Sequence, residues 1–535
     1  MTRRRLTVLL IVLAASVPYL PTLDDYFVQD DFGVVALLSS KSAGSFPRWF
    51  VIPWMENIWG EPPDEIRPFT AVTYQLAALG GAASPVVNHL INIAFHVVNA
   101  LLVFRVGEAA AGLSPVAAAA GALVFAILPM QTESVAWITG RVDSMPACFY
   151  LGSFLLYVRW RAIPRVSLYV WSVVTYFVAL FTKQNTVTLP IALVLYDVIV
   201  ARQPVRVSWR SLRPYVPFVV LTAGYLALRY VLFGEVAREG RLNAQYVDIF
   251  LHDLSVHLRR MVFGEPGLRL SGLDALVRVA AGVALVAVVA GFSRDRSHAA
   301  IARAVLYFLV AWIALGLAPT IVAGYGSPRH VYLASVGWAV SLGLAFDVLW
   351  HARPRQVMRG IGVALAGALV AAYAVQLREE VRLWGIRAEV SRRVVVDIER
   401  ETASSPPGTL VLVDPPPRSW NFALPYALRP PFTSEDLPQR VSFISHSSIH
   451  CCPAYLWEAY TRRAMHAWAA NTRRPPVIAL RWDQDTGELF RLRDSDNPFL
   501  RNAVEALLET NDVASLDRLM LHVSRGMVVT EAGSR

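Results

Sequence analysis

Lysine is nearly absent from this sequence: Lys41 and Lys183 are the two present among 50 basic residues. Lysine and arginine are not interchangeable, so a lysine kept in such an arginine-rich chain is a candidate for a particular role. Cysteine is scarce too, and Cys148, Cys451 and Cys452 make no disulfide framework. Charged residues are held to 17% while 55% are hydrophobic, which excludes an ordinary large soluble protein. The net charge of +10 does not point to nucleic acid, because the arginines lie mostly in short segments between apolar runs. That is the pattern that sets membrane topology.

What is present is apolar length. A run of about 17–22 residues crosses a ~30 Å hydrocarbon core, and such runs occur at 6–23, 86–106, 114–129, 144–160, 166–182, 185–201, 214–233, 272–292, 301–322, 330–350 and 357–377. They predict a polytopic α-helical membrane protein with about eleven transmembrane helices over residues 1–384. Pro68 to Gly80 is apolar but too short to span, and reads as a re-entrant or interfacial helix. Met1 to Arg5 and the apolar run after it are expected to form an uncleaved first helix and not a signal peptide.

Loop charges orient the chain. Arg3–Arg5, Arg159, Arg161, Arg165, Arg202, Arg206, Arg210, Arg213, Arg294, Arg296, Arg303, Arg353, Arg355 and Arg359 fall on one side. The short loops of the other side hold little that is basic beyond Arg141, Lys183 and Arg329. The N-terminus is therefore expected in the cytoplasm and the tail outside. The arginine bias suggests a bacterial inner membrane.

On the outer face acids and bases collect together. The long loop 24–67 follows the first span with Asp24, Asp25, Asp30 and Asp31 and closes at Arg67. Glu133, Arg141 and Asp143 lie in the next outer loop, Lys183 in a tight turn, and Arg329 and His330 between the ninth and tenth spans. The first-loop acids could be solvated headgroup-level charges, and Arg141 with Asp143 a salt bridge pinning two helix ends. The chemical alternative is that Arg and Lys hold the phosphate of a lipid-linked substrate while a carboxylate accepts a proton from an incoming hydroxyl. That is equipment for moving a sugar from a polyprenyl-phosphate carrier to an acceptor. With cations stabilising the departing phosphate no cofactor or metal is required, although a divalent cation at the Asp30–Asp31 pair stays open.

These residues sit in motifs. Tyr26-Phe27-Val28-Gln29-Asp30-Asp31-Phe32 resembles the outer-loop acidic motif of GT-C integral-membrane glycosyltransferases, and most of all of the transmembrane and tetratricopeptide-repeat O-mannosyltransferases and their bacterial relatives. The resemblance continues through Arg67-Pro68-Phe69-Thr70, the segment Asn88 to Asn99, Pro129 to Trp137, Gly140-Arg141-Val142-Asp143, Phe181 to Asn185 and Ser327 to Ser335. It implies a GT-C fold, an inverting transfer of a sugar (mannose first) from a polyprenyl-phosphate donor to a protein or glycan hydroxyl, and catalysis on the extracytoplasmic side. Asp30 and Asp31 are then the catalytic candidates. Arg67, Glu133, Arg141, Asp143, Lys183, Arg329 and His330 are candidates for substrate binding. Two departures stand out: residues 385–535 show no 34-residue repeat, and Gln184 leaves Lys183 without an acid beside it in sequence.

His89 and His96 share a helix face and, with Asn88, Asn92 and Asn99, are expected to make interhelical hydrogen bonds. In the second long outer loop, 234–271, the stretch Val247 to Val262 has the rhythm of a helix lying on the membrane. Residues 385–535 predict a small extracytoplasmic α/β domain, with strands at 408–415, 476–482 and 488–492 and helices at 503–508 and 516–523. Its run His446 to Cys452 is poor as a zinc site, since adjacent cysteines do not readily face one ion. Expected partners are the donor lipid, an acceptor and membrane lipids, with no nucleic acid. A transporter or flippase of lipid-linked glycans and an inactive scaffold are the competing readings. The first is disfavoured by charges gathered at one face and by the lack of an inverted repeat.

Overall fold

Ten of the eleven apolar runs fall on helices in the computed structural model, which describes residues 3–39, 43–54, 65–79, 84–202, 208–236, 247–264, 296–324, 326–351, 354–414, 424–445, 462–473, 475–492 and 498–510. The run 272–292, the cluster 446–452 and the helix expected at 516–523 lie outside the described residues. In chain order the helices are α1 (Arg3–Ser16), α2 (Asp30–Ser39), α3 (Pro68–Leu79), α4 (Pro85–Ala109), α5 (Pro115–Ile127), α6 (Thr132–Val135), α7 (Arg141–Ala162), α8 (Val166–Leu180), α9 (Leu189–Leu195), α10 (Val216–Phe233), α11 (Val247–Phe263), α12 (Arg296–Val322), α13 (Ser335–His351) and α14 (Arg355–Thr402). Among the described residues five helical stretches are each long and apolar enough to cross a membrane, or six if α5 and the stretch Pro129–Val135 count as one bent span. Pro129 explains that 52° bend, because its ring cannot continue the hydrogen-bond ladder of α5. The bend carries α6, and with it Glu133, across the end of the bundle.

Helix contacts are built on small residues and on polar side chains turned inward. At Gly121 of α5 an added methyl would lie 2.9 Å from the Ala339 carbonyl of α13, so the two helices meet only because glycine stands there. The polar stripe of α4 makes the expected interhelical bonds. Asn92 donates to the carbonyls of Val135, Trp137 and Ile138 at 2.8–3.2 Å, and Asn99 donates to Ser144 O at 2.7 Å. His96 pairs with the Tyr332 hydroxyl at 2.8 Å and His89 with Asp25 O at 3.2 Å. These bonds tie the turn 135–139 to the bundle.

At the opposite end of α7 a fully buried Asp197 gathers the hydroxyls of Tyr157 and Tyr215, both at 2.6 Å, and a two-pronged Arg161 at 2.6 and 3.0 Å. One carboxylate so joins α7 to the start of α10. Asp197→Ala strands a cation and two phenols in an apolar setting. It is expected to cost about 3–5 kcal/mol, the usual penalty for breaking a buried pair from one side, measured as lost thermal stability of detergent-solubilised protein.

The change of composition at Trp384 is not the end of a helix. α14 runs 48 residues, about 72 Å at 1.5 Å per residue, more than twice a hydrocarbon core. Nothing breaks it there, because the apolar half passes into a half rich in Glu–Arg pairs such as Glu389–Arg392 one turn apart. Its far half carries a four-stranded sheet of order β2-β1-β3-β4, made of β1 (Leu410–Asp414), β2 (Ser442–Ser445), β3 (Val477–Asp483) and β4 (Glu488–Arg491). β1 lies parallel to β2 and β3, and β3 and β4 form an antiparallel hairpin. The four-residue β2 was not expected from sequence, being too short to show a period. One sheet face packs on Met465 and Trp468 of α15 (Arg463–Ala469) and Val504 of α16 (Pro498–Thr510). The other, through Val411, Val413, Ile478 and Leu480, belongs to one apolar cluster with Val394, Val395 and Ile398 of α14 and with Phe27, Phe32 and Val35 of the first loop and α2.

Candidate active site

The first loop turns sharply just before its acids. Gln29 has φ +53°, a left-handed conformation uncommon outside glycine, and Asp30 and Asp31 form the first turn of α2. The two carboxylates have different surroundings. Asp31 is 1% exposed and accepts the Thr139 amide at 2.8 Å, the Thr139 hydroxyl at 2.6 Å and the Val28 amide at 3.0 Å. Asp30 is half-buried and accepts no hydrogen bond from any described residue. Burial pushes its pKa up to about 6; Arg329 works against that shift, and Glu65 and Glu133 reinforce it. Burial likewise raises Asp31 to about 7, against the hydrogen bonds from Thr139 and Val28.

The cations come from three further segments. Asp143, in the first turn of α7, pairs with the buried Lys183 and faces Arg329 Nε at 3.3 Å. Arg329 also pairs with Glu133, donates its own backbone amide to that carboxylate at 3.2 Å, and lies over the Trp137 ring at 4.9 Å. Lys183 thus has the counter-charge that Gln184 does not supply, brought from another helix. Burial and the neighbouring Arg67 and Arg329 lower its pKa to about 8, and Asp143 opposes them. Arg67 pairs with Glu65 at 2.7 Å and lies over Trp54 at 5.2 Å, while its buried Nε has no hydrogen-bond partner among the described residues. A buried donor left open in this way is costly unless something else accepts from it. The hydroxyl of Thr70, in α3, donates to Thr182 O at 3.1 Å and so ties Arg67's helix to the lysine turn.

Arg141 differs from its expected place. It is wholly buried and makes no pair with Asp143. It donates to Asn88 Oδ1 at 2.7 Å, Asn88 O at 3.1 Å and the Thr73 hydroxyl at 3.2 Å, and stacks on Tyr74 at 4.2 Å. Its fork is spent on α3 and α4, so it acts as a strut behind the site. Gly140 is needed beside it, since a methyl there would overlap the Glu133 carbonyl and reach within 2.9 Å of Trp137 O. His330 is buried next to Arg329. Sequence reasoning missed Glu65, Thr139 and Trp137. The charged pair Glu65-x-Arg67 was a signal for the first, whereas a threonine and a tryptophan in a loop carry none. Among the described residues no three His, Cys, Asp or Glu side chains converge as a metal site.

The protein is an integral membrane protein, and its bundle, with this bent span, an acidic turn on α2 and a sheet carried on α14, has the GT-C fold. The chain superposes on ArnT from Cupriavidus metallidurans, solved with undecaprenyl phosphate, with TM-score 0.53 over 91% of this chain and 94% of that one, at 15% identity. In sequence it is similar to protein O-mannosyl-transferase TMTC3 of Mus musculus, 31% identical over 206 residues, and to protein O-mannosyl-transferase Tmtc1 of Drosophila melanogaster, 30% identical over 191 residues. These matches cover 36% and 35% of the chain and 22% of each relative's length. No family model matches.

Proposed function

We propose that the protein is an inverting glycosyltransferase that moves a sugar, mannose first among candidates, from a polyprenyl-phosphate carrier to a protein or glycan hydroxyl. The reaction takes place on the extracytoplasmic face of a bacterial inner membrane, with eleven crossings and the α/β unit outside. The observation that carries this reading is that Asp30, a carboxylate bonded by no described residue, lies within the electrostatic reach of Arg329, which Glu133 and Asp143 link to Lys183. The acceptor oxygen attacks C1 of the sugar and its proton passes to Asp30. The C1–O bond to phosphate breaks, and the carrier phosphate leaves with the electron pair. Arg67, Lys183 and Arg329 meet the charge that grows on that phosphate, and Asp143 and Glu133 hold two of these cations in place before the donor arrives. Asp31 and Arg141 are positioning residues in this scheme. The printed names of the relatives and the lipid in the ArnT structure support the sugar and the carrier by similarity. A flippase reading finds less support, because the acids and bases of the candidate site, Asp30, Glu133, Asp143, Lys183 and Arg329, gather at one end of the bundle.

The test is transfer of radiolabelled mannose, and in parallel glucose, from polyprenyl phosphate in proteoliposomes. Label on protein or glycan is expected. No transfer from any such donor ends this reading. The pH profile adds a second check. A base with a pKa near 6 must be ionised, so kcat/KM should fall as pH drops through about 6. Lys183 must stay protonated to hold phosphate, so the donor KM should climb above about pH 8. A profile flat from pH 5 to 9 would contradict both roles.

A further inference from the structure

The α/β unit reaches into the site through one side chain. Phe432 lies on a turn between α14 and β2, with its ring 5.1 Å from Phe27 and 4.9 Å from Phe32, both edge to face. These two phenylalanines bracket Asp30 and Asp31 in sequence and are buried to 1% and 0% exposure. The turn itself is fixed. Phe432 N donates to Arg429 O at 2.8 Å, Ser434 N donates to Glu399 of α14 at 2.8 Å, and Arg440 donates to Thr402 O at 3.0 Å. From the same side Ser391 of α14 donates to Phe27 O at 2.6 Å. From the membrane side Trp137 Nε1 donates to Val28 O at 3.2 Å, and Thr139 holds Asp31. The left-handed turn at Gln29 therefore sits between two anchors, one from each part of the molecule.

We infer that Phe432 is a positioning residue for catalysis: the extramembrane unit clamps the Phe27–Phe32 turn and thereby sets where the Asp30 carboxylate stands. Asp30 has no hydrogen bond from any described residue, so its place depends on the backbone beneath it, and that backbone is held on its outer side by this aromatic cluster. Misplacing a reacting group by about 1 Å can cost on the order of 100-fold in rate without touching substrate binding. The donor cations Lys183 and Arg329 are held by Asp143 and Glu133, and among the described residues no ion pair, hydrogen bond or ring contact joins them to Phe432, so the clamp acts on kcat and leaves donor KM alone. The kinetic part of this inference rests on the transferase reading; the clamp does not.

The test uses the full-length protein in proteoliposomes with Phe432→Ala and Phe432→Tyr. Phe432→Ala is expected to lower kcat by about 10- to 100-fold with the donor KM within about twofold, and Phe432→Tyr to recover wild-type kcat within about threefold. Hydrogen exchange reads the clamp without turnover. Amides of the segment 26–34 should exchange at least about tenfold faster in Phe432→Ala, with α4 and α7 unchanged. Unchanged exchange in that segment overturns the inference. So does a rise in exchange spread over the whole protein, or equal losses in the Ala and Tyr variants, either of which marks a merely structural residue. If the wild type transfers no sugar, the transferase reading fails while the exchange result still decides the clamp.

Discussion

Asp30→Asn should lower kcat by about 10²–10⁴-fold while leaving the fold and donor binding intact, the span usual for removal of a general base. The structure separates it from its neighbour. Asp30 is half-buried, with a carboxylate that no described residue bonds, so the amide replaces it without stranding a donor. Asp31 accepts three hydrogen bonds in a closed setting. Asp31→Asn turns an acceptor-only group into one that also presents two donors to the amides of Val28 and Thr139, and each unsatisfied buried group costs about 1–3 kcal/mol. Loss of thermal stability together with loss of rate is therefore expected for Asp31, and loss of rate alone for Asp30. Rates and melting temperatures of both variants, with a donor-binding assay, check this. Full activity of Asp30→Asn would transfer the base role to another carboxylate.

Lys183→Ala is expected to have the second-largest effect, in two currencies. The donor phosphate loses a buried cation, which should raise donor KM and lower kcat, about 10²–10³-fold together in kcat/KM by analogy with loss of one electrostatic contact in a closed site. Asp143 also loses the buried one of its two cationic partners, with Arg329 remaining at 3.3 Å, and breaking a buried pair from one side costs up to about 3–5 kcal/mol. The two effects separate in the double variant Lys183→Met with Asp143→Leu. Removing both charges should restore much of the stability and none of the activity, because an apolar pair of similar volume avoids the stranded charge but offers the phosphate nothing. A double variant with near-normal donor binding would rule Lys183 out as a phosphate ligand.

Parts of this site were legible in the chain and parts were not. The rarity of lysine singled out Lys183, and the alternation of loop arginines brought Asp30, Glu133, Asp143 and Arg329 to one end. The pairings were not legible. Arg141 and Asp143 stand two residues apart and look like a pair, yet on α7 that spacing turns them to different neighbours. Arg141 enters the α3–α4 contact and Asp143 turns to Lys183 and Arg329. The fall in hydropathy after Trp384 also gave no sign that α14 continues to Thr402, because hydropathy reports which solvent a helix face meets and not where the helix ends.

The sequence by itself determined that this is a many-helix membrane protein, where most of its helices lie, and which polar residues share an end of the bundle. Those properties are sums over neighbouring residues, of hydropathy, charge and period, and need no knowledge of what packs against what. Only the tertiary structure decided which first-loop aspartate no described residue bonds, which acid serves Lys183, and that a segment following a helix extended far beyond the apolar run brings Phe432 back onto the Phe27–Phe32 turn. Each of these depends on groups distant in the chain being brought within a few ångströms of each other. That closeness is set by helix crossings and by the sheet's seat on α14, and local composition does not encode it.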